Sequence, residues 1–120
     1  MNKFQIKEDK LKSLIPTLRQ KKRFIRIIVK SNKKFDFDTL ANSINSQIMY
    51  YVGAIDFGKA GIRLLKDKFD YKNQEIILRV GTKFKDKTVG SIALITKIEN
   101  NDINLEIKRI SGTLKGVYKE

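Results

Sequence analysis

Four cations, Arg19, Lys21, Lys22 and Arg23, crowd into five positions directly ahead of an apolar run. Residues of this type in such density suit contact with phosphates. Each ammonium or guanidinium neutralises a backbone charge, and arginine forks onto two phosphate oxygens. The competing reading, a solvated run of charge, fits less well because a strand follows at once and would hold the cluster in place. Lys30, Lys33 and Lys34 extend the basic stretch, and Lys83 joins the same set from further along the chain.

A second constellation comes from alternation. Phe24, Arg26 and Ile28 share one face of an extended segment, and Ile77 and Arg79 share one face of another. Single-strand RNA readers stack bases on several sheet aromatics. Here Phe24 is the one aromatic, so base stacking across the sheet is not expected, and the apolar members suggest a protein-partner face instead. The alternative is that the two faces are exchanged and these residues form the core. A third is Ser111-Gly112-Thr113-Leu114-Lys115-Gly116, whose glycines and hydroxyls would let a backbone approach phosphate. It lacks the spacing of a nucleotide-binding P-loop, and by itself reads as a C-terminal turn. The carboxylates Asp67, Asp70 and Glu75 could in principle bind magnesium or move protons. They flank a polar turn without convergence, and read as solvated loop charges.

The chain has no histidine and no cysteine. Disulfides, thiolate catalysis and cysteine zinc sites are thereby excluded, along with the commonest general base. No catalytic residue and no protein-bound metal is expected. The formal net charge is +13 over 120 residues. Residues 1–34 carry +10 of it, and the remaining 86 only +3. Such a field attracts polyanions, and nucleic acid is favoured because phosphate neutralisation releases counterions. A membrane partner is not expected, since no long apolar run is present. The charged N-terminus has no secretory pattern, so a cytoplasmic setting is expected.

The elements that must position these groups follow from periodicity. Residues 1–15 are a tail or short helix ahead of Pro16, and residues 16–120 a single domain. Strand one is residues 22–30, with Ile25, Ile27 and Val29 toward the core. Asp36 caps a helix, with Phe35 and Leu40 as its staple, and Gly53 ends it in the left-handed conformation. Residues 54–60 are a short connection, with another helical turn as the alternative. Strand two spans about 61–69, a polar turn covers Asp70 to Gln74, and strand three is about 75–81. A second helix spans about 84–98, a turn lies at Asn100-Asn101-Asp102, and strand four is about 103–110. The order β-α-β-β-α-β is an α+β, ferredoxin-like or RNA-recognition-like split βαβ fold. Its four-stranded antiparallel sheet has helices on one face and leaves the other open for a partner.

Three stretches carry a resemblance to a known family: Leu18-Arg-Gln-Lys-Lys-Arg-Phe-Ile; Ile76-Ile-Leu-Arg-Val-Gly-Thr-Lys-Phe with the following Val89-Gly-Ser-Ile-Ala-Leu-Ile; and Ile110-Ser-Gly-Thr-Leu-Lys. Their order and spacing over about residues 16–116 resemble the ribonuclease P protein component 2 family of archaeal and eukaryotic ribonuclease P. The pattern departs from the family at Gly81-Thr82, Gly90 and Ser91. The resemblance implies a non-catalytic protein subunit of an endoribonuclease whose catalyst is RNA. That RNA would hold the magnesium and remove the 5′ leader from precursor tRNA. It implies ribonuclease P RNA and ribonuclease P protein component 3 as partners, precursor tRNA through the holoenzyme, and self-association. Arg79 falls at the family's strand arginine, and Ser111, Gly112, Thr113 and Lys115 at its closing motif. An RNA-binding role in another ribonucleoprotein, such as the ribosome, suits the charge and fold equally well. A small hydrolase on the same scaffold is disfavoured, because Ser31-Asn32-Lys33-Lys34 lacks a phosphate-cradling glycine.

Overall fold

A computed structural model describes residues 21–119. The expected N-terminal tail, Pro16 and Arg19 lie outside them. Strand β1 (Lys22–Lys30) is the centre of a four-stranded antiparallel sheet, paired on one side with β3 (Glu75–Gly81) and on the other with β6 (Asn104–Ser111). The short edge strand β2 (Arg63–Leu64) completes the order β2-β3-β1-β6. This is the split βαβ arrangement the element order implies. Helices α1 (Phe37–Val52), α2 (Ala54–Ala60) and α3 (Lys85–Leu94) stand between the strands in sequence.

The inner face is the one the alternation assigns. Ile25, Ile27 and Val29 of β1 are buried with Ile76, Leu78 and Val80 of β3, and Leu40, Ile44 and Ile48 of α1 join them in one core. Each such side chain contributes about 1.5–3 kcal/mol by leaving water. The faces are therefore not exchanged. In β6, Leu105 lies opposite Val29 and Ile107 opposite Ile27, but Ile110 is out of phase with both. A bulge resolves the conflict. The register shifts between Arg26 and Ile27, so that Arg109 and then Ile107 are their partners and Lys108 is the extra residue. One inserted residue returns Ile110 to the core side, opposite Ile25.

Asp36 caps α1 as expected, its Oδ1 accepting the Thr39 N–H at 2.9 Å. Phe35 and Leu40, on either side of the cap, are both in the core. Gly53 ends α1 but with φ 89° and ψ 153°, outside the left-handed helical region; that conformation belongs to Gly61, at φ 64° and ψ 37°, after α2. The segment 54–60 takes the helical alternative and forms α2.

Other boundaries differ from the periodicity. Strand two keeps only Arg63–Leu64. Leu65 N–H still donates to Ile77 O at 2.9 Å, after which Lys66–Lys68 turns as a 3-10 helix. Lys-Asp-Lys has no apolar residue to bury, so these positions gain nothing from a sheet face. The polar turn is organised by Asp70, whose carboxylate accepts from the Asn73 N–H and side-chain amide. Its last residue, Gln74, is buried at φ 53°. Gln74 Oε1 accepts the Phe35 N–H at 2.8 Å, and its Nε2 donates to Phe35 O and Tyr71 O.

The second helix stops at Leu94 rather than running to 98. Ile95 and Ile98 are buried in extended chain, where β4 (Lys97–Ile98) pairs with β5 (Asn101–Asp102). The turn is Glu99-Asn100, both at positive φ, 50° and 66°. Two successive positive-φ residues match the twist of a two-residue hairpin. The turn thus lies one residue earlier than Asn100-Asn101-Asp102, and Asn101 and Asp102 pair in the hairpin.

The outer face is not fully open. After β6 the chain reverses and a short helix α4 (Leu114–Val117) packs on β6 and β1. Ile77 and Val117 are both fully buried, yet neither belongs to the core beneath the helices. Val117 is buried where α4 meets β6 and β1. Tyr118 follows, with Arg26 Cζ at 5.7 Å from its ring centroid.

Candidate nucleic-acid interface

Directly opposed residues of an antiparallel sheet share a face. One row of the outer face therefore reads Ser111, Phe24, Arg79, Arg63 across β6, β1, β3 and β2. The next reads Arg109, Arg26, Ile77. At the end of the sheet beyond the first row, Lys22 lies opposite Gly81. Thr82 locks the corner there: its N–H and its Oγ1 both donate to Lys21 O, at 2.7 and 2.8 Å. Lys83 follows at once.

Pairing brings Lys21, Lys22 and Arg23 beside Arg79 and Lys83, and both beside the turn that carries Lys115. The stretches 21–24, 78–85 and 109–116 contain no acidic residue. Distant sequence segments thus build one cationic end. Arg23 contacts the C-terminal turn: a Cβ on Gly112 would stand 3.2 Å from its Nη1, so glycine there lets the guanidinium lie close.

The hydroxyls of the turn hold its own backbone. Ser111 Oγ accepts the Thr113 N–H at 3.3 Å, and Thr113 Oγ1 accepts the Gly116 N–H at 3.0 Å as the cap of α4. A Cβ on Gly116 would fall 2.3 Å from Ser111 Oγ and 2.8 Å from Thr113 Oγ1, so only glycine fits. The turn positions Lys115 and folds α4 over the sheet.

Several charges away from this end are paired. Arg26 is bonded to Glu75, and Glu106 lies between Lys30 and Lys108. The Lys30 ammonium foremost, then Lys108, holds the Glu106 carboxyl below its ordinary value of 4.5. Lys87 pairs with Asp56, and Lys97 with Asp102. Among the described residues, Lys21, Lys22, Lys83, Arg109 and Lys115 have no carboxylate partner. Acids have been placed where they neutralise the sheet's far end and left out of the near one.

The expected partner face is largely spent within the chain. Ile77 is fully buried and presents no surface to a partner, while α4 lies on the neighbouring strands β1 and β6. Phe24, Arg26 and Ile28 are each partly buried. Burial foremost raises the Tyr118 phenol above its ordinary 10.0; Glu75 adds to the rise and Arg26 opposes it. Most of the exposed large apolar side chains lie instead on the helical layer, where Tyr51, Val52 and Leu94 line a shallow groove of 470 Å³. Tyr50 and Ile55 stand nearby in sequence, at 83% and 75% exposure. Two residues were missed by sequence reading: Arg63, hidden in an overlong strand two, and Arg109, whose outward face depends on the bulge. The out-of-phase Ile110 was the available signal for the latter.

Asp67, Asp70 and Glu75 do not converge. Glu75 is bonded to Arg26 and Asp70 to Asn73. Among the described residues no group of three or more His, Cys, Asp or Glu side chains could hold a metal ion. None of their helices is long and apolar enough to cross a membrane.

The fold resembles a chain in the cryo-EM structure of yeast ribonuclease MRP, with a TM-score of 0.63 over 79% of this chain and 76% of that one. Identity is 15%, so the likeness is one of fold. Sequence comparison is more specific. The chain is 31% identical over 110 residues to ribonuclease P protein component 2 of Methanococcus vannielii, covering 92% of this chain and 82% of that protein. It is 31% identical over 112 residues to ribonuclease P protein component 2 of Pyrococcus furiosus, covering 93% and 92%. The Rpp14/Pop5 family profile matches residues 11–120. On that match, and on the split βαβ sheet that underlies it, the chain belongs to the Rpp14/Pop5 family.

Proposed function

We propose that this protein is a subunit of ribonuclease P that supports the catalytic RNA in removing the 5′ leader from precursor tRNA. The observation that carries the reading is the cationic end assembled from Lys21, Lys22, Arg23, Arg79, Lys83 and Lys115 without an acidic neighbour in those stretches. Its chemistry is phosphate neutralisation. Where RNA helices crowd, ordered cations reduce repulsion, release counterions and favour the compact active RNA over its open forms. The magnesium ions and the hydrolytic step belong to the RNA in this reading, and the protein contributes no catalytic group. Relatives named ribonuclease P protein component 2 support it, as does the absence of histidine and cysteine.

Ribonuclease P protein component 3 is the proposed protein partner, in a cytoplasmic holoenzyme. With Ile77 buried, the partly exposed Phe24 and Ile28 and the apolar groove on the helical layer are the surfaces open to that partner or to self-association. The test is precursor-tRNA cleavage by reconstituted ribonuclease P RNA at magnesium low enough that the RNA alone is nearly inactive. Activity should appear when this protein and component 3 are added together, and should fall when Lys21, Lys22 and Arg23 are changed to alanine. No rescue at any protein concentration, with a component 3 known to be competent, would move the protein to another ribonucleoprotein such as the ribosome.

A further inference from the structure

Arg63 and Arg79 are directly opposed across β2 and β3. Leu65 N–H donates to Ile77 O. By the two-residue alternation of the ladder, Arg63 and Arg79 then also form a hydrogen-bonded pair, with Cα atoms about 5.5 Å apart. Both side chains leave the same face. Like charges so placed destabilise a sheet. Two rows along the same strand, the chain answers Arg26 with Glu75; here it sets arginine against arginine. Nε of Arg79 is also buried without a hydrogen-bond acceptor. A guanidinium nitrogen removed from water and left unpaired is costly. Neither arginine has a carboxylate partner among the described residues.

We infer that Arg63 and Arg79 together clamp a single phosphodiester of the bound RNA on the outer face of the sheet. This rests on the RNA-binding reading above and gives it a defined subsite. The chemistry matches: two planar forks converge on one tetrahedral anion and satisfy several of its oxygens at once. The anion turns the like-charge repulsion into attraction and gives the Arg79 guanidinium, whose Nε is unpaired within the fold, a counter-charge. The site is continuous with the cationic end, because Phe24 separates Arg79 from Ser111 in the same row and Lys22 lies beyond it. It differs from the surrounding lysines in kind. They add charge that any phosphate can use, whereas the arginine pair fixes one phosphate in position.

The experiment is the salt dependence of binding to ribonuclease P RNA. Each neutralised phosphate contributes a slope of about −0.9 in log K against log salt. Arg63→Ala and Arg79→Ala should each weaken binding about tenfold, and the double variant should lose the slope of one phosphate, not two. Arg63→Lys should weaken binding with the slope unchanged, since charge remains and the fork is lost. Arg63→Glu, which builds a cross-strand pair like Arg26–Glu75, should raise the melting temperature while abolishing the subsite. A slope loss near 1.8 in the double variant would mean two separate phosphates and overturn the clamp. So would wild-type binding by the double variant while alanines at Lys21, Lys22 and Arg23 weaken it; in that case the RNA reading stands without the subsite. Failure of the unaltered protein to bind the RNA would instead remove the RNA reading itself. The Nε–H resonance of Arg79 should shift with RNA. An equal shift with inorganic phosphate alone would assign the site to a free anion and likewise overturn the proposal.

Discussion

Replacing Gly116 with alanine should release α4 from the sheet while leaving the rest of the fold in place. The added methyl would sit 2.3 Å from Ser111 Oγ, 2.8 Å from Thr113 Oγ1 and 3.3 Å from Ser111 Cβ. Rotating Ser111 removes only the first contact and gives up the bond from the Thr113 N–H. The second contact is with the oxygen that caps the helix. The chain therefore either keeps a distorted cap or undocks. Undocking forfeits the cap, about 1 kcal/mol, and the burial of Val117, about 2 kcal/mol. About 3 kcal/mol is thus the ceiling, since the helix leaves before a larger strain can be stored. For a domain of this size the melting temperature should fall by on the order of 10–15 °C. Amide hydrogen exchange gives the sharper readout. The N–H groups of Val117, Tyr118 and Lys119, bonded to Thr113 O, Lys115 O and Gly116 O, should lose protection, while those of Ile25 and Ile27 exchange only with global unfolding. An unchanged melting temperature together with unchanged protection at Val117 would refute the role given to Gly116 and to the turn.

Gln74→Ala removes the buried amide that bonds both Phe35 N–H and Phe35 O. It leaves a buried donor unsatisfied, and should cost about 2–3 kcal/mol in urea denaturation. Asp36 and Asp70 have carboxyls held below their ordinary 3.8, by Thr39 and by the Asn73 N–H respectively, and Glu106 sits below 4.5. Folded values below the unfolded ones mean that their stabilisation is complete above the unfolded pKa. It is lost as pH falls through the folded values. Acid titration of the melting temperature should therefore decline from about pH 4.5 downward, and Asp36→Asn, which keeps a capping oxygen, should flatten part of that decline. Tyr118 is raised, so its contribution holds below pH 10.0 and fades as pH rises further; protection of the Val117 amide should drop on that alkaline side. Lys83→Ala and Lys115→Ala should each reduce the salt slope of RNA binding by about one, measured with ribonuclease P RNA; slopes equal to that of the unaltered protein would place both lysines outside the interface.

Where local pattern and burial agree, the sequence alone was sufficient. Strand β1, the Asp36 cap, strand β3 and the inner face of Ile25, Ile27 and Val29 follow from alternation and capping chemistry, which act over a few residues. The uneven charge and the missing histidine and cysteine bound the chemistry before any fold is known. Other features depended on what the chain meets elsewhere. The run from Val89 to Ile98 is apolar enough for either helix or strand, and the hairpin at Glu99-Asn100 ended the helix. Lys66-Asp67-Lys68 leaves the sheet because no partner surface rewards its side chains. Period two alone cannot place Ile110, since the bulge exists only between paired strands. The Ser111–Gly116 stretch reads locally as a turn, and only tertiary packing shows that it folds α4 onto β6 and β1 and buries Val117. The same holds for the site. Lysine and arginine content is visible in the sequence, but which cations are neutralised is not. An ion pair such as Arg26–Glu75 joins residues far apart in the chain, and strand register alone decides that Arg79 meets Arg63 instead of an acid.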